Sequence, residues 1–247
     1  MVALIQLMQD MVVSELQNDT LNDALFSKGA ELLARQMQRI SDNLEALDIN
    51  GIAAMTARGF LNRLDRNNEN SMKANINNTI GVDLPGQIRA EGLEQALAVK
   101  MAENVALIKS VKDEYKEKVG KLLRDNVMDG QRPGNIVTQI KEVGNVSKSR
   151  AKFIARDQTA KANSDITQLR AEALGSKTYV WSSTNDERSR PDHDAMDGRL
   201  CRWDDPTVYS DDDGKTWKKR KSIGGVELHP GRDFNCRCVS TPIVSWG

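Results

Sequence analysis

At 247 residues the chain has room for one domain or two, and 39% hydrophobic against 28% charged residues suits elongated helices with much wetted surface. The formal charge is zero, with 24 basic and 23 acidic residues up to position 178 and 11 and 12 after it. Neither part therefore has the positive excess of a protein built to hold phosphates, and the apolar stretch Met1–Met8, interrupted by Gln6, falls far short of the roughly 20 residues that span a bilayer.

The chain opens with helical periodicity. Phe26, Ala30, Leu33, Met37, Ile40, Leu44 and Leu47 alternate spacings of four and three, which sets them on one helix stripe. Asp48-Ile49-Asn50-Gly51 reads as a stop, and Gly51–Leu64 as a further short helix. Residues 65–85 are rich in asparagine, whose side chains compete for backbone hydrogen bonds. They are expected to form a linker that closes an N-terminal helical arm, residues 1–84. A long-helix region is expected over residues 85–176. Its first helix starts near Ile88, breaks near Gly92 and is strongest over Met101–Met128, with Met101, Ile108, Tyr115 and Leu122 in one heptad column, Val105 and Val119 beside it and Lys112 breaking it. Gly130 suits the position just past its end and Pro133 the first turn of a short helix that Gly144 stops. Ser147 then caps a last helix to about Ala173, ended by Gly175, with Ala151, Ile154, Ala155, Ala162, Ile166 and Leu169 on its inner face.

Composition changes abruptly beyond residue 178. All three cysteines, both histidines, all four tryptophans and four of the six prolines lie there, marking residues 177–247 as a small mixed domain. Tyr179-Val180-Trp181 reads as a strand, able to pair with Val239–Trp246 despite Pro242. Pro191 opens a short helix through His193 and Met196, closed by Gly198. Asp213-Gly214 between Val208-Tyr209 and Thr216-Trp217 is a strong hairpin signal. The run from Ser210 to Trp217 fits Ser-x-Asp-x-Gly-x-Thr-Trp, the Asp-box of sialidase-type propellers, and a single copy reads as a turn staple rather than a ligand site. The fold class is α+β: an elongated, mostly helical N-terminal two-thirds, then a small α/β domain with a hairpin.

The chemistry-bearing side chains are few. An odd number of cysteines cannot all pair within the chain, which leaves metal ligation or free thiols. His193, Cys201, Cys236 and Cys238, with His229 a fifth, are candidate ligands for a structural zinc site, which needs four, although Cys236-Arg237-Cys238 has the spacing of no standard finger. The competing reading is buried thiols beside a hydrogen-bonded histidine. Catalysis through His193 and its flanking aspartates finds no support from a deaminase, nucleophile-elbow or HExxH pattern, so no enzyme is expected. Lys218, Lys219, Arg220 and Lys221 form a basic run, either a solvated loop or a sequence-blind contact to a nucleic-acid backbone.

From about residue 101 the order of signals resembles a known family. Ser147-Lys148-Ser149-Arg150-Ala151 leads into Ile154-Ala155-Arg156-Asp157-Gln158-Thr159; Trp181 precedes Asp186, Arg188, Arg190, His193 and Asp197-Gly198; His229-Pro230-Gly231 and Asn235-Cys236-Arg237-Cys238 follow. The chain in this respect resembles the phage head morphogenesis proteins of the Mu F / SPP1 minor head protein family. The resemblance implies a minor structural protein of a tailed phage or prophage, made in the host cytoplasm and carried in the virion head. It implies association with the portal or the major capsid protein and a link to DNA packaging or ejection, without a membrane. It transfers Trp181, Asp186, Arg188, Arg190, His193, Gly198, Cys236, Arg237 and Cys238 as pattern positions, and no reaction. Some relatives carry toxin domains after this region; with nine residues beyond Cys238, none is expected here. Read from the residues alone, Asp186, Arg188 and Arg190 suit an ion-pair lattice. Arg237, alternating with two cysteines, is expected to face away from them towards Asp186 or Asp197.

Overall fold

The computed structural model describes residues 1–17, 29–84, 86–88, 90–128 and 133–244. Five long helices come first: α1 (Val2–Leu16), α2 (Gly29–Ala46), α3 (Ile49–Ile80), α4 (Leu93–Met128) and α5 (Pro133–Ala173). The rest is a small sheet of β1 (Thr178–Ser182), β2 (Leu200–Arg202), β3 (Val208–Ser210), β4 (Lys218–Lys219) and β5 (Val239–Ile243). One turn of helix, α6 (Pro191–Asp194), lies between β1 and β2, and a 3-10 turn (Arg220–Ile223) follows β4. The class is α+β, as the sequence indicated. Phe26, Gly130 and Trp246 lie outside the described residues, as do the side chains of Ala30, Leu33 and Met37. Among the described residues no helix is long and apolar enough to cross a membrane.

The chain packs as two compact units, one comprising Met1–Ala57 and Glu103–Ala155, the other Arg58–Ala102 and Arg156–Gly247. These do not follow the consecutive segments 1–84, 85–176 and 177–247, because α3, α4 and α5 each contribute to both. In the first unit, Leu4, Ile5, Met8, Val12 and Leu16 recur every three or four residues along α1 and pack with Ile40, Leu44, Ile108, Tyr115, Val119 and Ile140. The heptad column of α4 is buried at Ile108 and Tyr115, but one heptad later burial has moved from Leu122 to Leu123. A straight helix drifts about 20° per heptad, and that rotation selects the neighbour.

Gly144 does not stop a helix, and Ser147 does not cap one; both lie inside the continuous α5. A Cβ at Gly144 would sit 2.2 Å from Oε1 of Gln9. The glycine therefore admits a side chain from α1 instead of releasing the backbone.

In the second unit the asparagine-rich stretch is helix, not linker, up to Ile80. Its polar groups are satisfied by α5. Asn68 Nδ2 donates to Thr167 Oγ1 (2.6 Å) and Asn163 Oδ1 (2.9 Å), and Arg170 donates through Nη1 to Asn68 Oδ1 (2.8 Å) and through Nη2 to Asp65 Oδ1 (2.8 Å). Arg170 is 1% exposed, so its charge relies on Asp65 and Glu69 for compensation. Met72 and Ile76 on the same face join Ile88, Tyr179, Trp181, Met196, Trp203 and Tyr209 in the core. The sheet is antiparallel with strand order β4-β3-β2-β1-β5. Pro242 lies opposite Tyr179 in β5. At the sheet edge its missing N–H costs no ladder bond.

Candidate functional site

Two stretches of the second unit converge beside β1: the loop after Ser182 with α6, and the segment from His229 to Cys238. The first is locked by aspartates. Asp197 accepts the Ser183 N–H (2.7 Å) and the Asn185 side-chain amide (2.6 Å), and Asp194 accepts the Ser183 hydroxyl (2.6 Å). These bonds hold the Asp197 carboxyl below its ordinary range, the Ser183 N–H most strongly. Gly198, at φ +71, turns the chain back so that its N–H donates to Trp181 O (2.9 Å).

α6 carries His193, 3% exposed, into the interior. Its Nε2 donates to Asp233 Oδ2 (3.0 Å), which also pairs with Arg190 Nη1 (2.9 Å). Its Nδ1 lies 3.4 Å from Cys236 Sγ and 3.4 Å from Cys238 Sγ. The Trp181 ring, fully buried, stands edge-on to the imidazole at 5.8 Å. Cys236 Sγ also accepts the N–H groups of Gly231 (3.3 Å) and Cys238 (3.4 Å). Burial opposes charge on His193, but hydrogen bonds to Cys236 and Asp233 outweigh it and raise its pKa. The Cys238 thiol, then His193 and the two N–H groups, draw Cys236 below the ordinary thiol range despite burial. Cys238, beside that sulfur and buried, is pushed up.

Gly231 positions this segment. Its φ is +84, and a Cβ there would lie 2.8 Å from the carbonyl oxygen of Ala160 on α5. Asn235, itself at φ +51, donates its N–H to Asp157 Oδ1 (2.7 Å). Arg232 is anchored to Asp165 (3.0 Å) and Gln168 (2.7 Å).

Of the pattern positions, Arg237 makes a bidentate pair with Asp186, the direction its alternation with the cysteines indicated. Arg237 holds the Asp186 carboxyl down to about 2, although both groups meet solvent. The expected Asp186–Arg188–Arg190 lattice is not formed: Arg190 turns to Asp233 and to the Phe234 carbonyl (2.8 Å), while Arg188 is exposed and gives Asp186 its backbone N–H (3.0 Å).

Two further expectations are corrected. Cys201 does not join His193, Cys236 and Cys238, whose donor atoms lie within 4.8 Å of one another. It sits mid-sheet on β2 between Tyr179 and Tyr209, where burial raises its pKa. Arg220 is not a phosphate contact; it is 0% exposed. Its Nε donates to Val208 O (3.0 Å), Nη1 to Val226 O (3.1 Å) and Leu228 O (2.8 Å), and Nη2 to Tyr179 Oη (3.1 Å). Tyr179 in turn donates to His229 Nδ1 (2.9 Å), and burial, with Arg232 and Arg220 nearby, lowers His229 to about 4. His229 is therefore a neutral hydrogen-bond acceptor apart from the His193 cluster. Lys218, Lys219 and Lys221 are exposed and reach Asp211, Thr207 and Glu227 respectively. The Ser210–Trp217 turn behaves as a staple: Asp212 accepts the Ser210 hydroxyl (2.7 Å) and both the N–H (2.9 Å) and hydroxyl (2.6 Å) of Thr216.

Sequence reasoning did not single out Asp233, the partner of His193, nor the hub role of Arg220. Asp233 stands between His229-Pro230-Gly231 and the cysteine pair, and that placement is the signal that was available.

Comparison with known proteins adds the family. Residues 117–241 match the family described as phage Mu protein F like protein. The chain is similar, at 32% identity over 220 residues, to an uncharacterized protein of Haemophilus influenzae; the alignment covers 88% of this chain and 45% of that protein, so the chain spans less than half of that relative. No solved structure matches. The matched span takes in half of the chain and contains Trp181, the Asp186–Arg237 pair and the His193–Cys236–Cys238 cluster, and the chain belongs to the phage Mu protein F like family.

Proposed function

We propose that the protein is a minor structural component of a tailed-phage or prophage head. In this reading it is made in the host cytoplasm and joins the portal or the inner face of the major capsid protein during head assembly. It stays in the virion with a part in DNA packaging or ejection. Family membership supports the head assignment, and one observation favours an architectural over a catalytic role. The polar groups of the candidate site are used on one another: Asp233 on His193 and Arg190, Asp186 on Arg237, Asp197 on Ser183 and Asn185. The Asp233 and Asp186 bonds clamp segments some forty to fifty residues apart in the chain, which suits a rigid docking module.

The test is co-expression of the tagged chain with the portal and major capsid proteins of its own phage, followed by purification of portal rings and proheads. Retention on either, and recovery of the chain from purified virions by mass spectrometry, is the expected result. A chain absent from rings, proheads and virions refutes the proposal.

A further inference from the structure

The donor atoms of His193, Cys236 and Cys238 converge on one point. Asp233 takes the Nε2 proton, which leaves Nδ1 facing the two sulfurs, each 3.4 Å away. A shared cation fits that convergence. Around a tetrahedral zinc ion, Zn–S of about 2.3 Å and Zn–N of about 2.0–2.1 Å place neighbouring nitrogen and sulfur ligands roughly 3.5 Å apart. The observed separations match that figure, and all three donors fall within 4.8 Å of one another.

The surroundings are those of a metal ligand set. A histidine that binds metal through one nitrogen usually gives its other N–H to a carboxylate, which fixes tautomer and ring orientation. Asp233 does this for His193, and Arg190 holds Asp233 in place. The N–H groups of Gly231 and Cys238 point at Cys236 Sγ, as suits a thiolate. All three ligand residues are buried. Two thiolates neutralise a divalent cation, so the occupied site carries no net charge into the interior.

We infer that His193 Nδ1, Cys236 Sγ and Cys238 Sγ bind one zinc ion, with Asp233 as the positioning carboxylate and the fourth ligand supplied from outside the triad. Cys236 and Cys238 border a cleft of about 340 Å³ that also touches Arg156, Asn163, Ser164 and Arg237, which gives a water access as the fourth ligand. On binding, each thiol gives up its proton to solvent and forms one Zn–S bond, two protons leaving per ion. The ion ties the α6 segment to the chain leading into β5 and requires no change in the reading of the protein as a head component.

The full chain, equilibrated with zinc sulfate under reducing conditions and desalted, is expected to retain about one zinc per chain by elemental mass spectrometry. Cobalt(II) in its place should give a thiolate-to-metal charge-transfer band. Cys236→Ser and Cys238→Ser should abolish retention and the band, while Cys201→Ser keeps both. Asp233→Asn should weaken zinc affinity by about 10–100-fold against a chromophoric chelator. The inference is overturned by folded wild-type protein that retains no zinc and gives no cobalt thiolate band. Stoichiometric binding that survives both cysteine substitutions, or an intact mass showing a Cys236–Cys238 disulfide after reductive purification, overturns it equally. Because the cobalt band is read on wild-type protein, the test holds even where a cysteine variant misfolds.

Discussion

Replacing Arg220 by Met tests whether a cation in a basic run can serve as a core residue. The side chain makes four hydrogen bonds, to three carbonyl oxygens and to Tyr179, and is 0% exposed. Charge-assisted bonds of roughly 1.5 kcal/mol each sum to about 6 kcal/mol. Sparing the guanidinium its desolvation returns about 2–3 kcal/mol, which leaves a net loss of about 3–4 kcal/mol. With a urea m-value of about 2 kcal/mol per M, the unfolding midpoint should fall by about 1.5–2 M. Tryptophan emission is the suitable probe, because all four tryptophans lie beyond residue 178. The control is Gln at Lys218, Lys219 and Lys221 together; their exposed side chains should change stability by no more than about 0.5 kcal/mol. If Arg220→Met and the triple variant unfold at the same urea concentration, the assignment of Arg220 as a structural hub is wrong.

Three other outcomes follow from the same structure. Arg237→Ala should lower the melting temperature of the tryptophan-reported transition, and Asp186→Ala should add little to it, since each removes the same pair; an unchanged Tm for Arg237→Ala counts against the clamp. His229, lowered to about 4 from the usual 6.5, stays neutral when folded, so the unfolded chain binds the extra proton between those values. Its contribution is complete above pH 6.5 and fades as pH falls towards 4, by about 3 kcal/mol over the window; His229→Gln should flatten that part of a stability–pH curve. Gly231→Ala places a Cβ against the Ala160 carbonyl at a positive φ and should cost more than about 2 kcal/mol by urea titration, whereas a neutral result would mean the segment can move off α5.

Much of the C-terminal domain was legible because local chemistry and tertiary demand agree there. Tyr179 and Trp181 alternate inward on β1, Asp213-Gly214 turns where its φ values require, and Arg237 opposes its flanking cysteines. The failures share a cause: a partner distant in sequence overrode the local signal. Asparagines 67 and 68 prefer turns in isolation, but Arg170 and Thr167, about a hundred residues on, bond Asn68 within a helix. Gly144 reads as a stop until Gln9 fills the space it leaves. Arg220 is indistinguishable from its three lysine neighbours until the carbonyls of Val208, Val226 and Leu228 converge on it. Cys201 shares its rarity with Cys236 and Cys238, but the register with Tyr179 sets it elsewhere in the sheet.

The discontinuous second unit bears on how the protein is born. Met72, Ile76 and Ile88 leave the ribosome well ahead of Tyr179 and Trp181, the aromatic rings they pack beneath. At about 5–20 residues per second the delay is on the order of 5–20 s, during which a greasy helix face stands open to chaperones and proteases. The first unit's residues have all emerged by Ala155, so synthesis delivers a finished half carrying an unfinished one. Asparagine rather than further leucine at positions such as Asn67, Asn68 and Asn75 keeps the waiting helix less apolar over that interval.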